Sequence, residues 1–336
     1  MSNHDQPKQG APRNRRGRGC LVSLGGMVAV LLGLMLLGAW YEAVAEARDV
    51  RAYPPPGQMV DVGGYRLHIN CVGTGSPTVV IEAGQGDWSA SWSNAVQPEA
   101  ARTTRVCTYD RAGYGWSEPG PLPRTAEHIA HELHTLLHTA GVPGPYVLAG
   151  HSLGGLPVRV FAHEYAAEVA GVVLIDSMHP SQAKPSASAQ PPQPAAPASR
   201  LSLFTLPARI SLLRLLAGPL DLKGGFSPEV ANAYVAYTVT PRHLQTTLDE
   251  GRGMPDSLLQ ASAITSFGAV PLIVLSRGHD QEQDWQAMQA DLLTLSSTSQ
   301  HVIADQSGHT IHLDQPAAAV EAIVTMVEHI RRQAAQ

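Results

Sequence analysis

Residues 146–155 read Tyr-Val-Leu-Ala-Gly-His-Ser-Leu-Gly-Gly, and no other stretch restricts the backbone as much. The apolar run Val147, Leu148 and Ala149 leads into Gly150-His151-Ser152-Leu153-Gly154, and a helix-compatible segment, 156–168, follows. The order is strand, tight turn, helix. A serine hydroxyl is a poor nucleophile unless it is held toward a base, and a sharp strand-to-helix turn lifts it clear of the backbone. Gly150 and Gly154 flank Ser152 where a side chain would meet the neighbouring strand or helix. The free N–H groups of the new helix, Leu153 first, face the place where an oxyanion would form. The same five residues also fit a plain glycine turn, because 31 glycines in 336 residues produce such a pattern by chance. The rest of the chain has to decide.

The net charge of -5 conceals an asymmetry. Residues 1–20 carry Lys8, Arg13, Arg15, Arg16 and Arg18 against Asp5, while the remainder holds 18 basic and 27 acidic residues. So acidic a body is a poor nucleic-acid binder, since phosphate neutralisation needs a basic surface. The basic arm fits a membrane instead. Residues 21–41 contain no charged residue and end in Trp40 and Tyr41. At about 1.5 Å per residue they span roughly 30 Å, the thickness of a bilayer core. The expectation is a basic cytoplasmic tail over 1–20, a single-pass anchor over 21–41 in the lipid bilayer, and an extracytoplasmic remainder. Ala43-Val44-Ala45 leaves open a signal peptide cleaved near Ala45 and a secreted product. Arg15-Arg16 lacks the apolar pair of a twin-arginine signal.

Residues 42–57 close on Pro54-Pro55-Pro56-Gly57 and read as a spacer lifting the domain off the bilayer. A hairpin over 58–62 and 65–72 follows, then strands over 78–81 and 105–109, with a weakly helical stretch between them. Residues 125–140 predict an amphipathic helix with Ile129, Leu133, Leu136 and Leu137 on one face and His128, His131, His134 and His138 on the other. His131-Glu132-Leu133-His134 does not have the zinc-protease spacing, and with no acid or cysteine cluster near it in sequence, the histidines read as a solvated face, so neither a metal nor a cofactor is expected. A buried strand over 171–175 ends at Asp176. Residues 179–197 are rich in Pro, Ala, Ser and Gln, and helices are predicted over 201–216, 228–248 and 255–264 with no strand among them, so 179–268 reads as an inserted helical cap. Strand–helix alternation resumes at 270–275, 281–295, 301–304 and 316–332. Eight strands alternating with helices imply an α/β fold, a mainly parallel sheet covered on both faces and built from 58–178 and 269–336.

A serine nucleophile needs a base and an acid to orient it. Gly308-His309, after the last strand, supplies the base candidate, and His312 reads as a structural neighbour. Asp280, on the loop after the seventh strand, is the first candidate for the acid. Asp176 is the alternative, with Glu282 and Asp284 also near.

Four motifs in this order, Gly84-Gln85-Gly86, Asp110-Arg111-Ala112-Gly113-Tyr114-Gly115-Trp116-Ser117, Gly150 through Gly154, and Gly308-His309 with Leu313-Asp314-Gln315-Pro316, resemble an α/β-hydrolase of the esterase/lipase type. The resemblance covers 58–178 and 269–334 and is loose through the cap. It implies Ser152 as nucleophile, His309 as base and then acid, Asp280 as the orienting carboxylate, and the backbone N–H groups of Leu153 and Gln85 as the oxyanion hole. Ala83-Gly84 stands where many relatives carry His-Gly, so the outer lining of that hole differs. The Asp110 motif is scaffold in such proteins, with Arg111 free to pair with Glu82 or Asp110. The family's usual strand order sets Cys71 beside Cys107, which implies a disulfide outside the cytoplasm.

The function expected from these readings is hydrolysis of a carboxylic ester, a small molecule of hydrophobic character, without a cofactor. Dehalogenase and epoxide hydrolase relatives use an aspartate where this chain has Ser152. Amide, thioester or carbon–carbon hydrolysis stays open on the same residues, as does a non-catalytic receptor on the same fold. The leucines of 201–216 fit a hydrophobic substrate and equally fit ordinary packing.

Overall fold

The computed structural model describes residues 15–182, 203–219, 225–280 and 284–336, with side chains from residue 25 onward. The basic arm before residue 15, the Cys20 side chain, most of the Pro/Ala-rich segment and Glu282 lie outside the described residues.

The chain opens with a long helix, α1 (Arg15–Ala52), then β1 (Gln58–Asp61), β2 (Arg66–Val72) and β3 (Thr78–Glu82). Two short helices, α2 (Ser89–Ser93) and α3 (Val96–Ala100), lead to β4 (Val106–Tyr109). Next come α4 (Ala126–Thr139), β5 (Tyr146–His151), α5 (Gly155–Glu164) and β6 (Val169–Ile175). Between β6 and β7 the described residues hold only helices: α6 (Leu206–Arg209), α7 (Leu212–Leu216), α8 (Pro228–Thr238) and α9 (Pro241–Ser262). The chain closes with β7 (Leu272–Arg277), α10 (Trp285–Leu292), β8 (Ser299–Ala304), α11 (Ile311–Asp314) and α12 (Pro316–Ala334).

The eight strands form one sheet in the order β1-β2-β4-β3-β5-β6-β7-β8, antiparallel at β1-β2 and β2-β4 and parallel from β4 onward. The period-two alternation of a strand divides each apolar run between two cores. Leu148, Leu174 and Val274 enter the layer made with α4 and α5, through Leu133, Leu136 and Phe161. Val147, Val173 and Leu275 enter the opposite layer with α3 and α12, through Val96, Ile323 and Val327. This is why the inner strands read as continuous apolar runs. Helix α4 starts on Thr125, whose hydroxyl accepts the His128 N–H at 3.4 Å, and buries the predicted face. Cys71 and Cys107, directly paired in the β2-β4 register, are joined by a disulfide.

Three expectations change. Residues 42–52 are not a spacer: their alanines are strong helix formers, so α1 continues to Ala52 and stops only ahead of the proline run. Its far half packs on the cap. Buried Glu42 accepts from Ser211 Oγ at 2.6 Å and from Arg214 at 2.8 and 3.1 Å, and Arg214 also reaches Asp49 at 2.7 Å. The helix expected over 228–248 breaks at Thr240, whose extended backbone and hydroxyl cap α9 just ahead of Pro241. Pro255 starts no new helix and lies inside α9. The residues 25–52 of α1 form one helix long and apolar enough to cross a membrane, which fits membrane anchoring.

The disulfide closes a loop with a sequence separation of 36. Non-reducing peptide mapping is expected to recover the Cys71 and Cys107 peptides linked, and Cys107→Ser to cost about 2–4 kcal/mol in denaturant unfolding under non-reducing conditions.

Candidate active site

Strand β5 ends at His151 and the backbone turns sharply at Ser152, which takes φ 53°, in the left-handed region that a β-substituted residue seldom occupies. The turn closes only because two side chains are missing. A Cβ on Gly150 would lie 2.7 Å from the Gly154 carbonyl oxygen, and one on Gly154 would lie 2.6 Å from both the Glu82 and Ala83 carbonyl oxygens. A single turn of 3-10 helix, residues 152–154, then feeds α5.

The raised hydroxyl meets an imidazole. Ser152 Oγ lies 2.9 Å from His309 Nε2, and His309 Nδ1 lies 2.5 Å from Asp176 Oδ2. With the carboxylate as acceptor, Nδ1 carries the proton and Nε2 is left to accept from the serine. Asp176 follows the last residue of β6, is fully buried, and takes φ 41°. Its Oδ1 accepts from the Arg277 backbone N–H at 3.1 Å and from the Trp285 indole N–H at 2.9 Å. The carboxylate facing His309 is therefore that of Asp176, which corrects the expectation for Asp280. Strand β7 runs on to Arg277, and the turn after it is pinned to the β8 side: Gly278 N–H reaches the Ala304 and Ser307 carbonyls and His279 N–H the Ser307 carbonyl. That turn leaves Asp280 exposed, its Oδ2 beside Gly308 rather than the ring. Asp284 precedes α10 and, among the described contacts, makes neither a hydrogen bond nor an ion pair with the imidazole.

His151 and His312 brace this arrangement. His151 Nε2 donates to the His309 carbonyl at 2.9 Å, tying the turn to the loop that carries the imidazole. Burial, then the nearby His312 and His309, push its pKa down to about 3, so it is neutral across the working range. His312 stacks on Trp92 with ring centroids 4.3 Å apart and approaches Asp87 Oδ2 at 3.3 Å, a structural neighbour as its position suggests.

The loop after β3 is gripped from behind by Arg111. Its Nη1 donates to the Ala83 carbonyl at 2.6 Å and its Nη2 to the Gly84 carbonyl at 2.7 Å. In a trans peptide the N–H points opposite to the C=O, so this grip turns the Gln85 N–H away from the guanidinium. Gly84 itself packs on the turn: a Cβ there would lie 3.3 Å from Ser152 Cβ. Arg111 pairs with Glu82 at 2.7 Å and with Glu250 of α9 at 2.6 and 3.0 Å. It does not pair with Asp110, which is taken by His68 Nδ1 at 2.9 Å and by the Ser89 and Trp116 N–H groups. Burial raises the Glu82 pKa against the pull of Arg111. Glu250 was not legible in sequence, since no local pattern marks a helix residue that reaches across to another layer. His151 was visible only as the variable residue before Ser152.

A cavity of about 710 Å³ lies between Glu46 of α1, the loop at 119–122, Arg209 and the α9 face bearing Arg242, Gln245, Thr246 and Asp249. Neither Ser152, Asp176 nor His309 lines it, so it is separate from this site.

Residues 67–323 match the profile of the Alpha/beta hydrolase family, and the chain belongs to that family. Among curated relatives, YqjL of Bacillus subtilis is 26% identical over 249 residues, covering 73% of this chain and 81% of that protein. A protein named as a transporter, efuK of Hormonema carpetanum, is 33% identical over 127 residues, 35% of this chain. An uncharacterized vacuolar membrane protein of Saccharomyces cerevisiae is 32% identical over 133 residues, 34% of this chain. The chain spans only 18% of the length of efuK and 20% of the yeast protein. Among solved structures, a thermophilic esterase from Thermogutta terrifontis superposes with TM-score 0.59 at 22% identity, over 81% of this chain and 98% of that one. The epoxide hydrolase CorEH gives 0.62 at 20% identity, over 82% and 99%. At these identities the likeness is one of fold.

Because Arg111 is the only cation contacting Glu82 and Glu250 among the described ion pairs, its loss strands two buried carboxylates. Arg111→Met is expected to destabilise the fold by about 3–5 kcal/mol in chemical denaturation, and Glu250→Gln by clearly less, because Arg111 keeps Glu82.

Proposed function

We propose that the protein is a membrane-anchored serine hydrolase that cleaves carboxylic esters through an acyl-enzyme. The observation that carries this reading is the continuous chain from Ser152 Oγ through His309 to buried Asp176, with steps of 2.9 and 2.5 Å. Ser152 attacks the ester carbonyl as His309 Nε2 takes its proton, and Asp176 stabilises the imidazolium. The backbone N–H groups of Leu153 and Gln85 receive the oxyanion. The alcohol leaves with the proton from His309. Water, deprotonated by the same ring, then attacks the acyl carbon and frees the acid and Ser152.

The anchor is α1, with the basic arm keeping the N-terminus cytoplasmic and the disulfide-bearing hydrolase domain on the other side. The turn before α7 sits against the span, since Ser211 Oγ donates to the Gly38 carbonyl at 3.2 Å. It brings Leu212, Leu215 and Leu216 near the level of Trp40 and Tyr41, and these leucines are exposed rather than packed inward. The substrate class this favours is a hydrophobic ester that partitions into the bilayer.

A fluorophosphonate probe is expected to label the full-length protein at Ser152 and to leave Ser152→Ala unlabelled; labelling that persists in that variant would overturn the assignment. In hydrolysis of p-nitrophenyl esters, Asp176→Asn is expected to lower kcat by about 10⁴-fold, as loss of the orienting acid does elsewhere, while Asp280→Asn stays near wild type. kcat/KM is expected to rise with acyl chain length.

A further inference from the structure

The histidine face of α4 has a partner that its sequence neighbourhood does not contain. Chain reversal after α5 brings Glu168, the last residue before β6, against it. His134 Nε2 lies 3.0 Å from Glu168 Oε1, and His138 Nε2 lies 3.0 Å from Glu168 Oε2. One ligand atom from each of the three residues falls within 4.8 Å of the others. Two donors bound to one zinc-type ion at tetrahedral angles stand about 3.3 Å apart, so an ion fits with small side-chain shifts. Histidines four apart on a helix point the same way. The His134 ring is also held in orientation, stacked on Tyr165 at 3.7 Å and 6°. Tyr165 in turn lies within 3.2 Å of His131 Nδ1 through its hydroxyl.

We propose that His134, His138 and Glu168 form a binding site for a divalent transition-metal ion of the zinc class. Two neutral imidazoles and a carboxylate suit a borderline ion, whereas calcium and magnesium require mostly oxygen ligands. Water completes the coordination, because the His138 side chain is 56% exposed. The ion ties α4 to the entry of β6. Eight residues of extended chain, about 25 Å, separate Glu168 from Asp176, so the site acts on the scaffold rather than on the hydrolytic residues.

The test uses the full-length chain in detergent, without a polyhistidine tag and stripped with a chelator. Zn²⁺ titrated by calorimetry is expected to bind at one equivalent and to raise Tm, and Mg²⁺ or Ca²⁺ at the same concentration to do neither. Loss of an outer-shell partner alone costs metal sites about 10–100-fold, so losing a ligand in His138→Asn or Glu168→Gln is expected to weaken Zn²⁺ binding by more than about tenfold. His163→Asn, which changes an exposed histidine of α5 outside the cluster, is expected to bind like wild type. Both ligand variants change partly exposed side chains, and their Tm in chelator reports that they fold. The proposal is overturned if no equivalent binds, if both variants bind as wild type does, or if Mg²⁺ and Ca²⁺ match Zn²⁺.

Discussion

The reversal of the backbone at Ser152 depends on close contact between main chains. Gly150 and Gly154 let β5, β3 and the start of α5 approach within distances that a methyl group would prevent. Every other part of the site is arranged around the hydroxyl this turn presents. The loop after β8 supplies the imidazole, the end of β6 supplies the carboxylate, and both come from the same edge of the sheet because the strands from β4 onward are parallel. A parallel sheet gathers the ends of strands that are far apart in sequence, which is what a three-residue site requires.

Behind that edge, Arg111 joins two layers. It holds the carbonyls of Ala83 and Gly84 in the core and the carboxylate of Glu250 in the cap. The orientation of the loop after β3 and the seating of α9 thus share one buried cation. A network with two carboxylates around one guanidinium is costly to desolvate and costly to break once formed. The cap is also tied on its other side, where Arg214 meets Glu42 and Asp49 of α1. Helix α1, the cap and the loop after β3 are linked in this way through Arg214, Glu250 and Arg111.

Much of this was open to sequence reasoning. The turn at residues 150–154, His309, the amphipathic face of α4, the continuous apolar strands and the apolar helix near the N-terminus all depend on residues close together in the chain. Where the reading failed, long-range contacts had decided. Asp176 directly follows one apolar strand and Asp280 follows another after a short loop, and nothing local says which carboxylate meets the imidazole. The difference arises because the turn after β7 is bound to residues 304–307, which swings Asp280 outward and leaves the Arg277 N–H and the Trp285 indole directed at Asp176. In the same way, residues 42–57 end in prolines and look like a spacer, but alanines carry the helix on and the cap receives it.

The sequence by itself determined the strand–turn–helix around Ser152 and the strands of the sheet, the inner ones apolar on both faces, because backbone conformation and hydrophobic periodicity are written in adjacent residues. The tertiary structure alone decided which carboxylate meets His309, that Glu250 shares Arg111 with Glu82, and that Glu168 comes between two histidines of α4. Those partners lie from 29 to 139 positions apart, and only packing of the sheet against its helices brings such groups within hydrogen-bond distance.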